Sequence, residues 1–115
     1  MAENATIYHN QRCNTSRTVL RLIEESGIEP TVVKYLETPP SRDGLRKLLD
    51  DAGLQPSQAI RKREAVYKEL GLADATEDQL LEAMVDNPIL IERPIVVTDK
   101  GTVLARPAEK VEEVL

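Results

Sequence analysis

Cys13 is the only cysteine of this 115-residue chain, and the only histidine, His9, stands four positions before it. A thiolate is a nucleophile, so the residues around Cys13 decide which chemistry is open to it. A phosphatase-like anion loop needs Cys-x5-Arg, and the position six beyond Cys13 is Val19. A dithiol oxidoreductase needs Cys-x-x-Cys, whereas Asn10 stands three before Cys13 and Ser16 three after it. Ser16 has no sulfur with which to resolve a disulfide. If Cys13 turns over as a redox nucleophile, the second thiol must come from another molecule, such as glutathione, glutaredoxin or thioredoxin. One cysteine and one histidine also leave no zinc cage, so neither a metal site nor an internal disulfide is expected.

The elements that must position Cys13 are legible on either side of it. Thr6-Ile7-Tyr8-His9 has the β-branched and aromatic bias of a strand, and Asn10-Gln11-Arg12 reads as a loop. From Thr15 to Ser26, Val19, Leu22 and Ile23 recur at helical spacing, and Gly27 marks the helix end. Cys13 therefore falls at a helix start, where unpaired backbone N–H groups and the helix dipole favour thiolate over thiol. His9, Arg12 and Arg17 are close enough in sequence to add charge or hydrogen bonds. Thr31–Tyr35 is a second strand, and the helical crossover between the two strands makes them a parallel βαβ unit.

Beyond Thr38-Pro39-Pro40 the chain turns helical. Leu45, Leu48, Leu49 and Ala52 share one helical face, Pro56 opens a stretch of two short helices ending at Gly71, and Thr76 with Gln79 forms a capping box. Ile95–Thr98 and Thr102–Arg106 are strands of an antiparallel hairpin joined by Asp99-Lys100-Gly101, and Pro107 suits the first turn of a terminal helix. The order βαβ, helices, ββα is that of an α/β thioredoxin- or glutaredoxin-like mixed sheet, one domain over 1–115 with a helical insertion at about 41–87.

Bulk properties narrow the setting. The net charge of −5 argues against a general nucleic-acid binder. No apolar run approaches a membrane span and no leader pattern opens the chain, so a soluble, cytoplasmic protein without membrane or nucleic-acid partners is the expectation. Hydrophobic residues make up 41% of the chain, with no Phe or Trp, so Leu, Ile and Val must supply the core.

Four segments carry a family resemblance along nearly the whole chain: Tyr8-His9-Asn10-x-x-Cys13-x-Thr15-Ser16-Arg17, Tyr35-Leu36-Glu37-Thr38-Pro39-Pro40, Asn87 through Val97, and Arg106-Pro107. The chain resembles the glutaredoxin-dependent arsenate reductases. The resemblance implies that Cys13 attacks arsenate, that glutathione as co-substrate resolves the thiol-arsenate adduct, and that glutaredoxin removes the mixed disulfide as arsenite leaves. It maps the family's oxyanion-binding arginines onto Arg61, Arg93 and Arg106 and its active-site histidine onto His9. No bound cofactor is implied. Guanidinium groups suit a tetrahedral oxyanion because they meet its oxygens with paired, charge-assisted hydrogen bonds. Arg63 is an alternative to Arg61 within the same basic run. Pro94 occupies the place where thioredoxin-like folds carry a cis-proline facing the cysteine, so a cis Arg93–Pro94 bond is expected.

Asn14 departs from the Gly or Ser usual in relatives and, with Thr15, is placed to contact the anion. The rival reading is a binding protein, similar to transcription regulators of the Spx type that contact RNA polymerase without arsenate turnover. Their switch usually needs Cys-x-x-Cys, and Asn10 replaces its first cysteine.

Overall fold

Strand β1 (Ala5–His9) alternates buried Ala5, Ile7 and His9 with half-buried Thr6 and Tyr8, the period expected of a strand covered on one face. It is central in the computed structural model, which describes residues 2–115. β1 runs parallel to β2 (Thr31–Lys34) through α1 (Asn14–Glu25), and antiparallel to β3 (Ile95–Thr98), which pairs in turn with β4 (Gly101–Leu104). The order β2-β1-β3-β4 is the mixed α/β sheet expected of a thioredoxin-like fold. Ser16, Val19 and Ile23 form the buried stripe of α1, and Gly27, at φ +91°, ends the helix in a conformation that a side chain would strain. Ile7, Val19, Ile23, Val96 and Val111 close the core on the sheet, each fully buried. Burial on that scale is worth roughly 1.5–3 kcal/mol per side chain.

The chain divides into two compact units, one made of the residues through Thr38 with Arg93–Leu115, the other of Pro39–Glu92. The second extends the expected helical insertion at both ends. It contains α2 (Arg42–Asp51), α3 (Pro56–Ala59), α4 (Ala65–Glu69) and α5 (Glu77–Asp86). Ser41 caps α2 by accepting from the Gly44 N–H at 3.0 Å, and Thr76 with Gln79 forms the expected capping box on α5. Leu45 and Leu49 of α2 and Leu81 and Met84 of α5 are its buried centre. An isolated antiparallel bridge pairs Ile60, after α3, with Ile91 near the end of the unit.

Three expectations at the C-terminal end are corrected. Thr98 pairs with Gly101, so the β3–β4 turn has two residues, Asp99 and Lys100, rather than three. Gly101 belongs to the strand at φ +149°, a value glycine reaches without a Cβ penalty. β4 stops at Leu104 rather than Arg106: the Ala105 N–H still meets the Pro94 carbonyl in register at 2.9 Å, but Pro94 has no N–H with which to return the bond. The terminal helix is a 3-10 helix, Ala108–Glu113, preceded by Pro107 instead of opened by it. Its short i→i+3 bonds, Lys110 N–H to Pro107 and Val114 N–H to Val111, suit a segment too brief to repay α-helix nucleation. The Arg93–Pro94 bond is cis as expected, and Arg106–Pro107 is cis as well. Among the described residues no helix is long and apolar enough to cross a membrane.

Candidate active site

Cys13 is the N-cap of α1, with extended φ/ψ of −96° and 122°. Its own N–H donates to the Asn10 carbonyl at 3.0 Å, and its carbonyl takes the first helical bond, from Arg17. The loop is thus tied at both ends and the sulfur stands where the helix begins. Arg106, ninety-three positions away, brings Nη1 to 3.7 Å from the Cys13 sulfur and donates the same nitrogen to the Arg93 carbonyl at 3.0 Å. Burial pushes the Cys13 thiol up, but the Ser16 N–H and the Arg93 and Arg106 side chains together outweigh it, and the net shift is below the ordinary 9.0.

Arg93 is buried at 9% exposure, and its Nε and Nη1 find no hydrogen-bond acceptor among the described residues. A buried guanidinium with unmet donors is costly in isolation and is relieved by any anion that accepts from them. Pro94, also buried, anchors the start of β3 beside it through the Ala105 bond to its carbonyl. Arg93, Arg106 and Cys13 therefore converge within the first compact unit. Raising the pH should accelerate alkylation of Cys13 by iodoacetamide with a midpoint below 9.0. Arg106→Ala should move that midpoint upward, because it removes a group that favours the thiolate.

His9 is buried at the end of β1, with Nδ1 2.6 Å from the Ser16 hydroxyl oxygen, which also accepts the Asn10 N–H at 3.1 Å. Ser16 is fully buried, one turn into α1. Sequence reasoning passed over Ser16 as a non-resolving residue; the signal was there in a polar side chain on the Val19–Ile23 face. Burial first, then the charges of Lys34 and Arg17, hold the His9 pKa below its ordinary 6.5. The unfolded chain therefore binds a proton at His9 more readily than the folded one. This contribution to stability is intact above pH 6.5 and is lost as the pH falls below it toward the folded pKa. Chemical denaturation across pH 7.5 to pH 5 should show that loss, and His9→Asn should flatten it. Ser16→Ala should cost about 1–3 kcal/mol, because it strands the Asn10 N–H and the His9 ring nitrogen in the interior.

Asn14 is exposed and its carboxamide oxygen accepts from Arg17 Nη2, while Arg17 Nη1 donates to the Gln11 carbonyl at 2.8 Å. Thr15 is half-buried in the first turn of α1. Arg61 belongs to the Pro39–Glu92 unit, where Nη1 donates to Glu92 at 2.7 Å and Nε lies 3.7 Å from Glu64. Arg63 is exposed. Glu64 is the i+3 neighbour of Arg61, whereas Glu92 is 31 residues away and carried no local sequence signal.

Residues 8–114 match the model of the ArsC family. An arsenate reductase of Escherichia coli is 56% identical over 114 residues, taking in 97% of this chain and 81% of that one. The protein YfgD of Escherichia coli K12 is 48% identical and aligns over 100% of this chain and 99% of its own. The solved arsenate reductase of Vibrio cholerae superposes with a TM-score of 0.94 at 45% identity, covering 100% of both chains.

Proposed function

The chain belongs to the ArsC family, and on that premise we propose that it reduces arsenate to arsenite with Cys13 as the attacking group. The single observation that carries the reading is the meeting of Cys13 with Arg106, at 3.7 Å, and with the buried, under-satisfied guanidinium of Arg93. The two arginines serve twice. Before substrate binds they favour the thiolate, and during reaction they offer N–H donors to oxygens that gain charge as sulfur approaches arsenic.

In this scheme the Cys13 thiolate forms a sulfur–arsenic(V) bond and one arsenate oxygen leaves, protonated, as water. A glutathione thiol then attacks, the sulfur–arsenic bond gives its electron pair to arsenic, and arsenic(III) departs as arsenite. The two sulfurs have supplied the two electrons and remain joined as a Cys13–glutathione disulfide. A glutaredoxin thiol exchanges with that disulfide and returns Cys13 to the reduced form. Because the chain has one cysteine, the second sulfur has to be external, and a reducing cytoplasm supplies it.

His9 is proposed to assist as a neutral ring fixed by Ser16. The proposal for Arg61 as a third arsenate-binding arginine rests on the family pattern alone, and its guanidinium is engaged by Glu92 and Glu64. The test of the main reading is arsenate-dependent NADPH oxidation with glutathione, glutaredoxin and glutathione reductase, with arsenite measured directly. A wild-type protein that forms no arsenite at any thiol concentration overturns it, and RNA polymerase capture by such an inactive protein would support the regulator instead.

A further inference from the structure

Next to the Cys13 loop, the first compact unit holds a depression of about 170 Å³ in which Arg12, Lys34 and Glu37, residues with no part in the scheme above, stand beside His9. Asn10 and Arg12 of the loop line it together with His9, Lys34 and Glu37. His9 and Lys34 are register partners at the ends of β1 and β2, so the sheet itself holds these two lining residues side by side. Arg12 immediately precedes Cys13, which sets their Cα atoms about 3.8 Å apart and the depression at the edge of the reactive loop. Neither Arg93 nor Arg106 lines it. The side chains of Arg12, Lys34 and Glu37 make no hydrogen bond or ion pair among the described residues.

We propose that this depression seats the carboxylate-bearing arm of the small peptide thiol that resolves the Cys13 adduct. Lys34 and Arg12 hold the carboxylate, and Glu37 accepts from a peptide N–H. The inference rests on the reading of Cys13 as a nucleophile resolved by an external thiol. The lining favours such a ligand over a second arsenate: it pairs two cations with a carboxylate, which suits a molecule carrying both acceptors and donors and repels a compact dianion at Glu37.

The experiment follows disulfide exchange, which needs no arsenate. The Cys13 thiolate attacks glutathione disulfide, one sulfur–sulfur bond breaks as another forms, and glutathione thiolate leaves; the rate is read as mixed disulfide by mass spectrometry. Bis(2-hydroxyethyl) disulfide, which is neutral and lacks a carboxylate, reports the intrinsic reactivity of Cys13. Lys34→Glu should slow the reaction with glutathione disulfide by about tenfold, as expected for one charge-assisted hydrogen bond, and leave the neutral reagent unchanged. Lys34→Arg should keep the wild-type rate. Lys100→Glu makes the same charge change in the exposed β3–β4 turn and should have little effect at 0.1 M salt, where screening acts over about 10 Å.

Equal slowing of both reagents by Lys34→Glu, or an effect of Lys100→Glu as large as that of Lys34→Glu, overturns the subsite. So does an unchanged KM for glutathione in arsenate turnover by Lys34→Glu. A wild type that exchanges with glutathione disulfide in a Lys34-dependent way yet forms no arsenite overturns the arsenate reading and leaves the subsite standing.

Discussion

Cys13→Ser will lower arsenate-dependent NADPH oxidation by about 10⁴-fold or more, the scale on which removing an attacking group acts. A serine hydroxyl at this position sees the same Ser16 N–H and the same arginines, but it stays protonated at neutral pH. Its oxygen also cannot form the mixed disulfide through which two electrons reach arsenic. The variant should fold normally, since serine is among the preferred N-cap residues and Cys13 is the N-cap of α1. Circular dichroism and thermal unfolding close to wild type, with arsenite production at background, are the expected pair of results. A serine variant retaining a tenth of the wild-type rate would remove Cys13 from the mechanism.

Arg93→Ala is expected to lower kcat/KM for arsenate by about 10²–10³-fold, the range seen when one donor to a developing oxyanion is deleted. The reasoning starts from burial. Arg93 is as buried as a core residue, and neither Nε nor Nη1 has a protein acceptor among the described residues, so folding leaves those two donors unused. Arg93 also favours the Cys13 thiolate through hydrogen bonding and charge, so the alkylation midpoint should rise in the same variant. A purely structural role predicts the opposite pattern, with a large fall in unfolding temperature and an unmoved midpoint. Arg93→Lys should recover part of the midpoint shift and little of kcat/KM, because an ammonium restores charge but not the planar pair of donors. An Arg93→Ala protein with unchanged kcat/KM would leave Arg106 alone to support the oxyanion reading.

Both predictions rest on a site that was only half visible before folding. The sequence by itself determined the chemical options of Cys13: one sulfur, no arginine at the sixth position beyond it, no partner cysteine, and therefore an external thiol for any redox turnover. It also determined β1, α1 and the capped α5, because alternation, 3.6-residue periodicity and capping are properties of neighbouring residues. It named Arg93 and Arg106 only through resemblance, since nothing local separates an anion-binding arginine from a solvated one.

Tertiary structure decided which of these side chains meet. β3 pairs with β1, and the Ala105 N–H extends the β3–β4 register to the Pro94 carbonyl, so that residues 13, 93 and 106 converge. The same long-range pairing moved Gly101 into the strand and ended β4 before Arg106, which frees that residue to lean on the Arg93 carbonyl. Burial of the α1 face that carries it turned Ser16 from a failed resolving residue into the partner of His9. Arg61, chosen with the other two arginines, acquired Glu92 and Glu64 as partners. Backbone propensity acts over a few residues, whereas the charge state of a thiol and the satisfaction of a guanidinium depend on whatever the fold places within a few ångströms of them.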